Sequence, residues 1–192
     1  MDASVTPLLL DFPDHFDTER LHIRAPRPGD GPTVNAGIVE SLAELTTWMP
    51  WAVGGQTVDD TEAVMRRMAA AFIRREDLML LLFRKADGEF IGSSGLHRID
   101  WSVPCFEIGY WIRTSMAGQG YMTEAVNAIT QFAFIVLNAQ RVEIRCDVGN
   151  RRSAAVAERA GYSLEACLRR NARSTDGSLR DTLIYTKLRE VE

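Results

Sequence analysis

The spacing of apolar residues changes period across a glycine turn in the middle of the chain, and few folds accommodate that change. Residues 105–112 alternate between two faces, as a strand does. From 119 to 137 the apolar positions Met122, Ala125, Val126, Ile129, Ala133 and Val136 recur at helical spacing instead. Residues 141–147 alternate again, with Val142, Ile144 and Cys146 on one face. Strand, helix and strand in that order make a crossover unit, which joins parallel strands of one sheet.

The turn between the first strand and the helix reads Gly118-Gln119-Gly120. A helix that begins at a glycine presents unpaired N–H groups at its positive end, and glycine lets the backbone come close without a Cβ. Such a turn is an anion cradle suited to a pyrophosphate. Two common nucleotide loops are excluded by the residues themselves. A P-loop needs Lys-Ser/Thr after its last glycine, where this chain has Tyr121-Met122. A dinucleotide fingerprint needs a third small residue where Thr123 stands, and belongs near the start of a βαβ unit. Taken alone, the glycine pair also suits a plain strand–helix turn.

The rest of the chain sets the architecture. Residues 18–25 alternate as a strand, and a proline- and glycine-marked break leads to a helix ending near Leu45. Trp48-Met49-Pro50-Trp51 interrupts, and a second helix is expected over 59–75. Strands follow at 78–84 and 89–99, joined by the hairpin signal Asp87-Gly88. Beyond the crossover come a short helix over 150–160 and strands at 162–170 and 179–188, with Asp176-Gly177 between them. The expected fold is α/β (α+β): a mixed, mostly antiparallel sheet of about seven strands with helices on both faces. Residues 1–17 read as a loose lead-in to a single domain over 18–192.

With 192 residues, 46% of them hydrophobic, the chain can bury a core without disulfide or metal. Its 22 basic and 26 acidic residues, net charge -4, argue against a broad nucleic-acid footprint. Cys105, Cys146 and Cys167 lie far apart in apolar-alternating stretches and have no metal-ligand spacing, so no metal site is expected. No apolar run has membrane-spanning length, and no basic region precedes the apolar residues near Met1, which gives a cytoplasmic expectation.

Glu107-Ile-Gly-Tyr-Trp-Ile112 followed by Gly118-Gln-Gly-Tyr-Met-Thr-Glu-Ala125 resembles the GNAT acetyltransferase superfamily, and within it the RimJ/RimL branch of ribosomal-protein N-terminal acetyltransferases. Thr18-Glu19-Arg20-Leu21, Gly95-Leu-His-Arg98, Asn150-Arg-Arg-Ser153, Gly161-Tyr162 and Leu164-Glu165 match the same branch, so the resemblance runs from about Thr18 to Leu188. It implies acetyl-CoA as cosubstrate and a primary amine, on a protein N-terminus or a small molecule, as acceptor. It implies that the amides of Gly118, Gln119, Gly120, Tyr121 and Met122 hold the CoA pyrophosphate. It further implies that the strand ending at Tyr110-Trp111-Ile112 splays from its neighbour to admit the pantetheine arm. A backbone N–H near Ile112 would then polarise the thioester carbonyl, and Asn150 would hydrogen-bond the pantetheine. The superfamily's Gln or Arg three residues before the first glycine is Ser115 here.

Strand alternation puts Glu107 on one face with Gly109 and Trp111, which makes it the first candidate for the base that deprotonates the amine; an ordinary ion pair is the alternative. His97 on the adjoining strand is the second, unless it is a hydrogen-bonded structural histidine. Many superfamily members protonate the departing thiolate with a tyrosine, but the matching position is Ala157. The RimJ/RimL branch places a serine at the start of that helix, matched by Ser153, which also suits a helix cap. Trp48 and Trp51 between the first helices, with Tyr185 on the last strand, are candidate acceptor contacts. A monomer or homodimer is expected. The rival reading is a CoA-binding sensor without useful turnover, favoured by Ala157 and opposed by Glu107 and Ser153.

Overall fold

A computed structural model describes residues 6–190. The strands are β1 (His15–Asp17), β2 (Leu21–Arg24), β3 (Leu78–Arg84), β4 (Phe90–Asp100), β5 (Cys105–Ile112), β6 (Arg141–Asp147), β7 (Ser163–Arg173) and β8 (Leu179–Leu188). The helices are α1 (Gly31–Glu40), α2 (Leu42–Trp48), α3 (Val58–Arg74), α4 (Tyr121–Ile135) and α5 (Arg151–Arg159), with short 3-10 turns at Pro7–Leu9, Pro50–Ala52 and Thr114–Met116.

The strands form one eight-stranded sheet in the order β1-β2-β3-β4-β5-β6-β8-β7. Every pairing is antiparallel except β5 with β6, which α4 connects. Alternation on β3 assigns the two faces. Leu78, Leu80 and Leu82 join the core beneath α4, while Leu81 packs with Val34, Ile38 and Met65 of α1 and α3. The capping box of Thr57 and Asp60 starts α3, and Arg75 in the left-handed region ends it.

Two elements differ from the sequence expectation. The count is eight strands because residues 15–17 pair with β2, inside the stretch read as a loose lead-in. Phe16 stacks on Phe132 at 4.9 Å, and Phe12 meets Phe72 and Phe132 edge-on, so aromatic packing holds this segment to the sheet. The first helix is also two helices, broken at Ser41, and Trp48 ends α2 instead of lying in a loop.

One topological fact creates the site. β5 and β6 pair only from Cys105 to Glu107, opposite Arg141–Glu143. Past that point β5 stays with β4 as far as Ile112, and β6 stays with β8 as far as Asp147. The two parallel strands part, and a wedge opens in the middle of the sheet.

Candidate active site

The open edge of β5 carries hydrogen-bonding groups with no strand opposite. Arg113 donates its N–H to Ile91 O on β4 at 2.9 Å. In an antiparallel ladder the outward and inward groups alternate, so the N–H groups of Tyr110 and Ile112 point away from β4, into the wedge. A cleft of about 1040 Å³ runs along this edge to the start of α4, lined by Tyr110, Trp111, Ile112, Gly118, Gly120, Tyr121 and Met122 on one side and by Asn150 and Ser153 on the other.

At its far end Gly118 (φ +77°) and Gly120 (φ +83°) take left-handed conformations that other residues rarely adopt. Gly120 is the N-cap of α4, and no side chain caps the helix, so its first-turn N–H groups are available to an anion. Gln119 itself lies outside the cleft lining, its side chain folded back on Ser115 O at 3.1 Å. The preceding loop is pinned to α1. Ser115 donates its N–H to Glu40 at 2.9 Å, Thr114 donates to Ser41 Oγ at 3.0 Å, and Arg113 clasps Glu40. The Ser115 amide and hydroxyl, with Arg113, hold the Glu40 carboxyl down at about 2. Ser115 thus ties the loop to Glu40 through its backbone N–H.

Asn150 is the N-cap of α5, its Oδ1 accepting from Ser153 N–H at 3.1 Å. The Ser153 hydroxyl is free of capping duty and lies 3.0 Å from the Tyr110 hydroxyl, which also donates to Ser153 O at 2.9 Å. Burial pushes the Tyr110 phenol well above its ordinary pKa, against the Ser153 hydrogen bond that lowers it. The pairing of a β5 tyrosine with Ser153 was not legible in the sequence, where the two are 43 residues apart.

A smaller cleft adjoins the first and shares Trp48, Met49, Tyr110, Asn150 and Ser153 with it. Glu107, Arg145, Asp147 and Arg180 line its other side. Glu107 stands where β5 and β6 part, its Oε2 3.3 Å from Arg145 Nε and 3.5 Å from Arg98 Nε, with no hydrogen bond to that oxygen. Trp48 packs against Gly149 and walls both clefts. The other acceptor candidates lie elsewhere. Trp51 is outside both clefts and packs 6.3 Å from Trp111. Tyr185 is buried in the core beneath α5, its hydroxyl donating to Glu158 at 2.9 Å, and burial pushes its pKa to about 12. His97 lies across from Glu107 on β4, over Gly109, but is tied through Nδ1 to Asp77 at 2.8 Å and lines neither cleft.

A sheet parted at the parallel pair β5–β6, with uncapped N–H groups at the head of the crossover helix, suits an acyl-CoA-dependent transferase. The acetyltransferase (GNAT) domain family matches residues 20–163, and the chain belongs to this family of acetyl-CoA-dependent N-acetyltransferases. The Bacillus subtilis (strain 168) protein YdaF, named as a putative ribosomal N-acetyltransferase, is 30% identical over 175 residues, 89% of this chain and 92% of YdaF. The Escherichia coli (strain K12) ribosomal-protein-serine acetyltransferase is 29% identical over 155 residues, 79% of this chain and 85% of that protein. The solved structure of RimL, the ribosomal L7/L12 α-N-protein acetyltransferase, in complex with coenzyme A shares the fold with a TM-score of 0.83 at 24% identity, covering 89% of this chain and 95% of RimL. The RimJ/RimL resemblance read from the sequence holds. No group of three or more His, Cys, Asp or Glu that could hold a metal occurs among the described residues, and no helix there is long and apolar enough to cross a membrane.

Proposed function

We propose that this protein acetylates the α-amino group of a protein N-terminus, a ribosomal protein being the substrate class, in the cytoplasm. The observation that carries the reading is the junction of the two clefts at Tyr110, Ser153 and Trp48. One cleft has the cradle and open strand edge that fit a CoA thioester, and the adjoining one is lined by Glu107. Relatives named for ribosomal proteins support the substrate class.

Acetyl-CoA, when bound, supplies the acetyl group as an activated thioester. The amides of Gly118, Gly120, Tyr121 and Met122 would hold the pyrophosphate, and the outward amides of Tyr110 and Ile112 would align the arm as an added strand does. The Ile112 N–H polarises the carbonyl to be attacked. Asn150, which lines both clefts, would hydrogen-bond the arm. Glu107 receives the proton of the incoming ammonium, directly or through one water, while Trp48 walls the path. Ser153 would pass its hydroxyl proton to the departing sulfur as it takes the proton that the attacking nitrogen loses on becoming an amide, and its hydroxyl lies 3.0 Å from that of Tyr110.

The energetics favour an α-amine. At pH 7 an α-amino group costs about 1 kcal/mol to deprotonate, whereas a lysine amine costs roughly 4.6 kcal/mol. The test is a peptide panel with free and blocked N-termini, incubated with acetyl-CoA and sequenced by mass spectrometry. Acetyl on the α-amine of unblocked peptides is expected; acetyl on lysine side chains of blocked peptides would overturn the reading.

A further inference from the structure

The Thr18-Glu19-Arg20-Leu21 stretch lines neither cleft, yet Thr18 and Arg20 contact the turn and first helical residues at the head of α4. Glu124 sits in the first turn of α4, where a carboxylate opposes any anion bound at the same helix terminus. Its oxygens are fully engaged from the other side. Thr18 Oγ1–H donates to Oε1 at 2.5 Å, Arg20 N–H to Oε1 at 2.9 Å, and Arg20 Nε to Oε2 at 2.6 Å.

The remaining nitrogens of Arg20 engage the turn itself. Nη1 donates to Gln119 O at 3.0 Å, and the guanidinium lies 4.5 Å over the Tyr121 ring. Nη2 is close enough to Gly120 that a Cβ there would meet it at 3.3 Å. In a trans peptide the carbonyl of one residue and the N–H of the next point in opposite directions. Holding Gln119 O toward Arg20 therefore turns the Gly120 N–H the other way, and Gly120, unlike Gln119, lines the cleft.

Resting on the cofactor reading above, we propose that Arg20 is a positioning residue for the CoA pyrophosphate: it orients the 119–120 peptide and neutralises Glu124 so that the α4 terminus accepts a polyanion. The two partners then have opposite effects on the cofactor. Arg20 loss misdirects an amide and exposes a negative charge. Glu124→Gln removes the charge and keeps one side-chain oxygen to accept from Thr18 and the Arg20 backbone. A plain ion pair tying β2 to α4 would make the two losses alike.

The experiment is calorimetric titration of coenzyme A into the wild type, Arg20→Met, Glu124→Gln and the double variant, with a thermal melt of each. Wild-type binding is the control on the cofactor reading; its absence would overturn that reading and this inference together. Given binding, Arg20→Met should weaken it by about tenfold or more, and the double variant should regain a large part of the loss. Glu124→Gln should bind at least as tightly as wild type. Should Arg20→Met not fold, Glu124→Gln still decides. Weakening of about tenfold in that variant, or a double variant no better than Arg20→Met, overturns the positioning role while leaving the cofactor reading intact.

Discussion

At the scale of single residues, the proposed mechanism divides its proton work between Ser153, where the two clefts meet, and Glu107, which lines the smaller cleft alone. Ser153→Ala should lower kcat by about 10²-fold with little change in KM for acetyl-CoA, measured by thiol release. Glu107→Gln should cost a similar factor of about 10² in kcat, and the loss should be larger for slow, high-pKa amines than for N-terminal peptides. Tyr110 differs in kind. Its phenol is pushed upward by burial, so its neutral form persists as pH rises, and Tyr110→Phe should leave the alkaline limb of the pH–rate profile in place. Disappearance of that limb would make Tyr110 a titrating participant. These residues were readable from the sequence to different degrees. Glu107 and Trp111 share a face by simple alternation, and Ser153 matches a family position. The burial of Tyr185 and the tether on His97 depend on α5 and on Asp77, which no local pattern reveals.

At the scale of elements, the cradle depends on how its loop is tied down. Glu40 at the end of α1 holds Ser115 N–H and Arg113, with its folded-state pKa at about 2 against an ordinary 4.5. A depressed carboxyl pKa means that the stabilisation is complete above the unfolded value and disappears as pH falls through the folded one. Glu40→Gln should therefore lower Tm at neutral pH, and the gap from wild type should close between about pH 4.5 and pH 2. A gap independent of pH would deny the carboxylate this role. Gly120→Ala places a Cβ 3.3 Å from Arg20 Nη2 in a left-handed conformation, so CoA affinity should fall together with about 1–2 kcal/mol of stability. The cradle and crossover were legible because strand, glycine turn and helix are contiguous in the chain. The helix break at Ser41 and the three-residue β1 were not, since each is fixed by a distant partner: Thr114 in one case, Phe132 in the other.

At the scale of the whole molecule, function follows from where the sheet parts. The crossover could be read from periodicity, but the length of the β5–β6 pairing could not, because it depends on β4 and β8 each retaining its own neighbour. The β7–β8 hairpin reaches the smaller cleft through one residue and is tied to α2 at its tip. Arg180 lines that cleft, and Thr175 at the hairpin tip donates its hydroxyl to Thr47 O on α2 at 3.3 Å. Shortening the tip at residues 174–178 should raise KM for the acceptor while CoA affinity stays unchanged. The most direct measurement of the central claim is hydrogen–deuterium exchange with and without acetyl-CoA. Slowed exchange at residues 108–112 and 118–122 together is expected, because the proposed complex places free amides of both segments against the cofactor. Unchanged exchange in both, with protection confined to other segments, would contradict the placement of the cofactor and the mechanism built on it.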